Sequence, residues 1–88
     1  MSKHVTHPEV IKRLKRAQGH LESVVSMLAE GRECLDIAQQ LQAVESAITN
    51  AKKTLIRDHI DHCLEHGMQK GRQADDAIRE FKEITKYL

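Results

Sequence analysis

"CLDIAQQLQAVESAITNAKKTLIRDHIDHCLEH", residues 34–66, contains neither Gly nor Pro. Within it Ile37, Leu41, Val44, Ile48, Ala51 and Leu55 recur in alternating steps of four and three, the period of an amphipathic helix. The run predicts one long helix of about 30 residues, from Cys34 or Leu35 to about His66, well above the usual length.

Upstream, Ile11, Leu14, Gln18, Leu21, Val25 and Leu28 keep the same rhythm, Pro8 suits the first helical position with Thr6 or His7 near the cap, and Gly31 supplies a stop. A first helix over roughly residues 8–30 follows. Downstream, "GMQKGRQ" (67–73) reads as a loop, and Asp75 can cap a short last helix with Ala77, Ile78, Phe81, Ile84 and Leu88 as buried candidates. The polar "MSKHVTH" (1–7) lacks periodicity and reads as a flexible arm. The expectation is a single all-α domain over 1–88, with two long antiparallel helices and a short C-terminal one.

Such a chain is short of core. A domain of 88 residues buries only about 60% of its unfolded surface. With one Phe, one Tyr and no Trp, the packing falls to Leu, Ile, Val and Ala. Apolar positions run the full length of the second helix, beyond the reach of the first. A four-helix bundle formed by two chains is the simplest way to cover them. No stretch approaches the roughly 20 apolar residues of a membrane span. Two cysteines and no apolar leader point to a reducing, cytoplasmic setting, where Cys more often serves metal or redox chemistry than a structural disulfide.

His59 and Cys63 stand four apart near the end of the long helix and share a face. The other cysteine, Cys34, opens that helix about 37 Å away by helix rise. In an antiparallel dimer the start of one helix lies beside the end of the other, so Cys34 of one subunit would join His59 and Cys63 of its partner. Two thiolates and an imidazole suit trigonal Cu(I) better than a closed tetrahedral Zn(II) site. The competing reading is inert packing for the cysteines and solvated surface for the histidines. His62 and His66 read as solvated neighbours and His4 and His7 on the arm as ambiguous, with His4, His7 and His62 retained as possible additional ligands.

Net charge is only +1, but basic residues cluster. Lys12, Arg13, Lys15 and Arg16 occupy the first helix, and Lys52, Lys53 and Arg57 the second. Antiparallel packing can join them into one patch able to neutralise phosphates, diluted by Asp58, Asp61 and Glu65. The competing reading is a solvated helix face. No helix-turn-helix, zinc-finger spacing or strand ribbon is present for base readout, and no nucleophile with its base or cofactor loop points to an enzyme.

Three segments, "RLKRAQGHL" (13–21), "ECLDIAQQLQAVESA" (33–47) and "RDHIDHC" (57–63), resemble the CsoR/RcnR family of bacterial metal- and stress-sensing repressors. The resemblance runs from about Ile11 to Tyr87. It implies an all-helical homotetramer, a dimer of dimers, whose apo form binds operator DNA and is released by an inducer. Copper sensors of the family carry Cys, His, Cys, matched here by Cys34, His59 and Cys63. Nickel and cobalt sensors add an N-terminal histidine at a position that aligns with Ser2, so His4 or His7 would have to serve. Formaldehyde sensors lack the final Cys and persulfide sensors the His. The Tyr that precedes the first Cys in copper sensors is replaced by Glu33. Glu80 matches the later Glu that, with that Tyr, lies behind the ligand His. The family's DNA contacts map onto Arg13 and Lys53. The expectation is a repressor released by Cu(I), the alternatives being a Ni(II)/Co(II)-responsive repressor and a thiol-based sensor of formaldehyde or persulfide.

Overall fold

The computed structural model describes the backbone of residues 7–66 and 72–88, and the side chains of these except His7, 63–66, 72–74 and Ala77. Helix α1 spans His7–Ala29, α2 Cys34–His66 and α3 Arg72–Ile84, followed by a single 3-10 turn at Thr85–Tyr87. Among the described residues there is no strand. The expected arm up to Val5 and Thr6 and the loop at 67–71 lie outside the described residues; at Arg72 and Gln73 the chain is already helical. Asp75 therefore sits in the first turn of α3 rather than at its cap. A carboxylate is favoured at either place, because both face the unsatisfied N–H groups of the helix start.

Gly31 ends α1 as its position predicts. With φ at +73° it adopts the left-handed conformation that side chains disfavour. Its N–H donates to the Leu28 carbonyl at 3.2 Å and that of Arg32 to the Met27 carbonyl at 3.0 Å, the paired bonds of a Schellman turn. The chain reverses there. Two residues later the Glu33 carbonyl accepts the Ile37 N–H at 3.1 Å, and α2 begins at Cys34.

The two long helices form an antiparallel hairpin. Val24 packs with Ile37 and Val44, with Met27 alongside, and His20 Nε2 lies 2.6 Å from Gln40 Oε1 across the pair. The Val24–Ile37 and His20–Gln40 pairs join residues whose numbers add to about 60, which fixes the register. In that register α2 past about residue 54 extends beyond the start of α1. The short α3 packs against this overhang, where Ile56 is fully buried.

The buried seam differs from the stripe the periodicity picks out. On α1 it consists of Val10, Ala17 and Val24, and on α2 of Ile37, Val44 and Ala51, each set spaced by seven. Small side chains let the helices approach closely. Ile11, Leu14, Leu21, Val25 and Leu28 are exposed in the single chain, as are Leu41, Ile48 and Leu55. On α3 Ile78 and Phe81 are exposed as well, as is Leu88 after the 3-10 turn, while Ile84 is half-buried; the candidate Ala77 lies outside the described side chains. The sequence expectation of buried positions on α3 is thus corrected for those three residues. One hairpin and one short helix lack the surface to cover them.

Candidate metal centre and nucleic-acid interface

The unbroken α2 carries every ligand candidate except the arm histidines. Cys34 is its first residue and its side chain is exposed. His59 and Cys63 lie one turn apart at the other end; the Cys63 side chain lies outside the described residues. By helix rise Cys34 and His59 are about 37 Å apart. Among the described residues no group of three or more His, Cys, Asp or Glu side chains converges within one chain. Within one chain Cys34 and His59 thus stand at opposite ends of α2.

At the α2 overhang His59 meets α3. His59 is mostly buried, and its Nε2 lies 2.7 Å from Glu80 Oε1 on α3. In a neutral imidazole this contact requires the proton on Nε2, which donates to the carboxylate. The lone pair then resides on Nδ1, and the carboxylate fixes the orientation of the ring. The contact also ties α3 to α2, so the orientation of the imidazole and the seating of α3 depend on one another. His62 is half-buried on the next turn, and Asp61 is exposed. Glu33 sits at the other end beside Cys34, exposed, and reaches neither His59 nor Glu80 of its own chain. His4 lies outside the described residues, and His7 opens α1.

Lys12, Arg13, Lys15, Arg16, Lys52, Lys53 and Arg57 are all exposed. Lys53 and Arg57, one turn apart, line a cleft with Ile60 and Leu88, while Lys12 and Lys15 line a shallow recess at the start of α1 with Pro8, Glu9 and Ile11. Arg13 is held by Glu9, with Nε 3.3 Å from Oε2. Sequence reasoning passed over this carboxylate, although the i to i+4 spacing of Glu9 and Arg13 is the signal for it. It also passed over the His20–Gln40 contact, whose partners lie on different helices.

With this geometry in hand, comparison with known proteins gives a consistent picture. A family model described as a metal-sensitive transcriptional repressor matches residues 6–87. The copper-sensing transcriptional repressor CsoR of Bacillus subtilis (strain 168) is 34% identical over 82 residues, covering 89% of this chain and 80% of that protein. The CsoR of Mycobacterium ulcerans (strain Agy99) is 32% identical over 77 residues, 88% of this chain, and the match spans 65% of that protein's length. Among solved structures, the nickel-responsive transcriptional regulator InrS superposes with a TM-score of 0.81 at 25% identity, over 100% of this chain and 99% of that one. Among the described residues no helix is long and apolar enough to cross a membrane.

Proposed function

This chain belongs to the metal-sensitive transcriptional repressor family, and on that premise we propose that Cu(I) is its effector, held by Cys34 of one chain with His59 and Cys63 of another. The observation that carries this reading is the 2.7 Å contact between His59 Nε2 and Glu80 Oε1, which places a carboxylate behind the imidazole as metal-ligating histidines commonly have. The donor set fits the ion, since two thiolates and one imidazole match a soft, low-coordinate metal. The likeness to two copper-sensing repressors lends further support.

Assembly completes the site. Antiparallel pairing of two α2 helices would cover Leu41, Ile48 and Leu55 and bring Cys34 beside His59 and Cys63 of the second chain, twice per dimer. Two such dimers would form the working tetramer, acting on DNA in the cytoplasm. Arg13 and Lys53, with Lys12, Lys15, Arg16, Lys52 and Arg57, would contact phosphates in the metal-free form. Cys34, His59 and Cys63 would hold Cu(I), and the ion would supply a coordinate link between the two chains. Glu80, in contact with His59, would couple the position of the imidazole to that of α3 and so to the spacing of the basic residues.

A ligand moves such an equilibrium only by binding the two forms unequally, and the coupling is reciprocal. Anaerobic titration with Cu(I), with and without operator duplex, should therefore find weaker copper binding on DNA; equal affinities would overturn the mechanism. X-ray absorption on the copper-loaded protein should count two sulfur ligands and one nitrogen. The likeness to nickel-responsive InrS favours a second reading, Ni(II) or Co(II) with His4 or His7 as an added ligand. Removing residues 1–7 abolishes the response in that case and spares it in the copper case. A covalent adduct on Cys34 or Cys63 by mass spectrometry, with an undiminished response in His59→Ala, would instead support an aldehyde or sulfur sensor.

A further inference from the structure

The first half of α1 carries Lys12, Arg13, Lys15 and Arg16 but only one carboxylate between residues 7 and 21, Glu9. That carboxylate is not placed at random. It reaches Arg13 at 3.3 Å from Nε, and it lines the recess at the helix start together with Lys12 and Lys15. The acid lies one turn N-terminal to the guanidinium, the favourable orientation for such a pair. Both side chains are about half exposed, 45% for Arg13 and 53% for Glu9, so the pair is weak and opens readily.

We propose that Glu9 is a built-in competitor of DNA for Arg13 and thereby limits the affinity of the metal-free protein for its operator. This rests on the reading of Arg13 as a phosphate contact. A phosphate oxygen and the Glu9 carboxylate are alternative acceptors for the same guanidinium, which cannot give up its charge. When Arg13 turns to DNA, Glu9 is left beside the phosphate backbone without its cation. It must then recruit a counterion from solution, which offsets part of the counterion release that drives binding. Glu9 thus lowers affinity twice, by holding Arg13 in the free protein and by repelling phosphate in the complex. A repressor that must let go when its effector arrives is served by such a brake, because a smaller metal-linked penalty then suffices to release it.

The test is a two-by-two set of variants, wild type, Glu9→Gln, Arg13→Ala and both together, titrated into a duplex of the DNA upstream of the protein's own coding sequence. Fluorescence anisotropy at several salt concentrations gives the affinities, and circular dichroism checks that each variant is helical. Glu9→Gln should tighten binding by about twofold for every Arg13 that engages DNA, the size expected for opening an exposed pair. It should also steepen the salt dependence. In the Arg13→Ala background the same substitution should gain markedly less. An equal gain in both backgrounds would overturn the competition and leave only bulk charge. Unchanged or weaker binding by Glu9→Gln would overturn the proposal outright. If wild type and all variants bind no more tightly than to unrelated DNA and Arg13→Ala changes nothing, the DNA reading of Arg13 fails first, and the proposal with it.

Discussion

The two faces of the α1–α2 hairpin invert the usual order of a folded domain. Val10, Ala17, Val24, Ile37, Val44 and Ala51 are buried between the helices, whereas Leu14, Leu21, Leu28, Leu41, Ile48 and Leu55 remain outside. The bulkier aliphatic residues are thus the ones left in solvent, with Leu28 59% and Ile48 45% exposed. A chain built to fold alone would place them the other way round, since each fully buried Leu or Ile contributes about 1.5–3 kcal/mol. The inner seam sets the spacing of the hairpin. The outer stripe leaves its burial free energy unspent in the single chain, where the proposed second chain would draw on it.

Breaking the outer face should have the largest effect. Leu21→Glu with Ile48→Glu introduces two charges on that stripe, and burying an unpaired charge costs several kcal/mol. Sedimentation should find single chains, and the metal response should vanish with assembly although Cys34, His59 and Cys63 are untouched. Next comes Glu80→Ala, which removes the partner of His59 Nε2 and leaves both faces intact. Copper affinity should fall about 10- to 100-fold with assembly unchanged, as read by competition with a chelator.

Smaller effects sharpen the contrast from the inside. Val44→Ala in the seam should cost about 2 kcal/mol by denaturant unfolding, through lost burial and a small cavity, and spare assembly. Gly31→Ala should cost about 1 kcal/mol, because a Cβ is disfavoured at φ +73° even though open space surrounds it. A seam variant that dissociated the protein as fully as the outer pair would erase the distinction between the faces.

Helix boundaries were largely legible in the sequence because local chemistry decides them. Gly31 has no competitor for the left-handed turn, and nothing between Cys34 and His66 interrupts the hydrogen-bonded ladder. Which stripe meets which was not legible. Ile37, Val44 and Ala51 alternate with Leu41, Ile48 and Leu55 as a single wide apolar face, and only the register of the hairpin divides it. Ala17 and Val10 were passed over because their small size gives them little weight in a periodicity. The separation of Cys34 from His59 followed from helix rise alone, whereas the His59–Glu80 contact needed either the resemblance or the placement of α3.

The continuity of α2 has a consequence for timing and dose. A rigid rod keeps Cys34 and His59 at opposite ends, so with the proposed site shared between chains a newly made, solitary chain would be blind to the metal its assembled form detects. Sensing would then begin only when enough copies accumulate to pair, and fall away on dilution below that threshold. The abundance of the protein would be one of the settings of its own instrument.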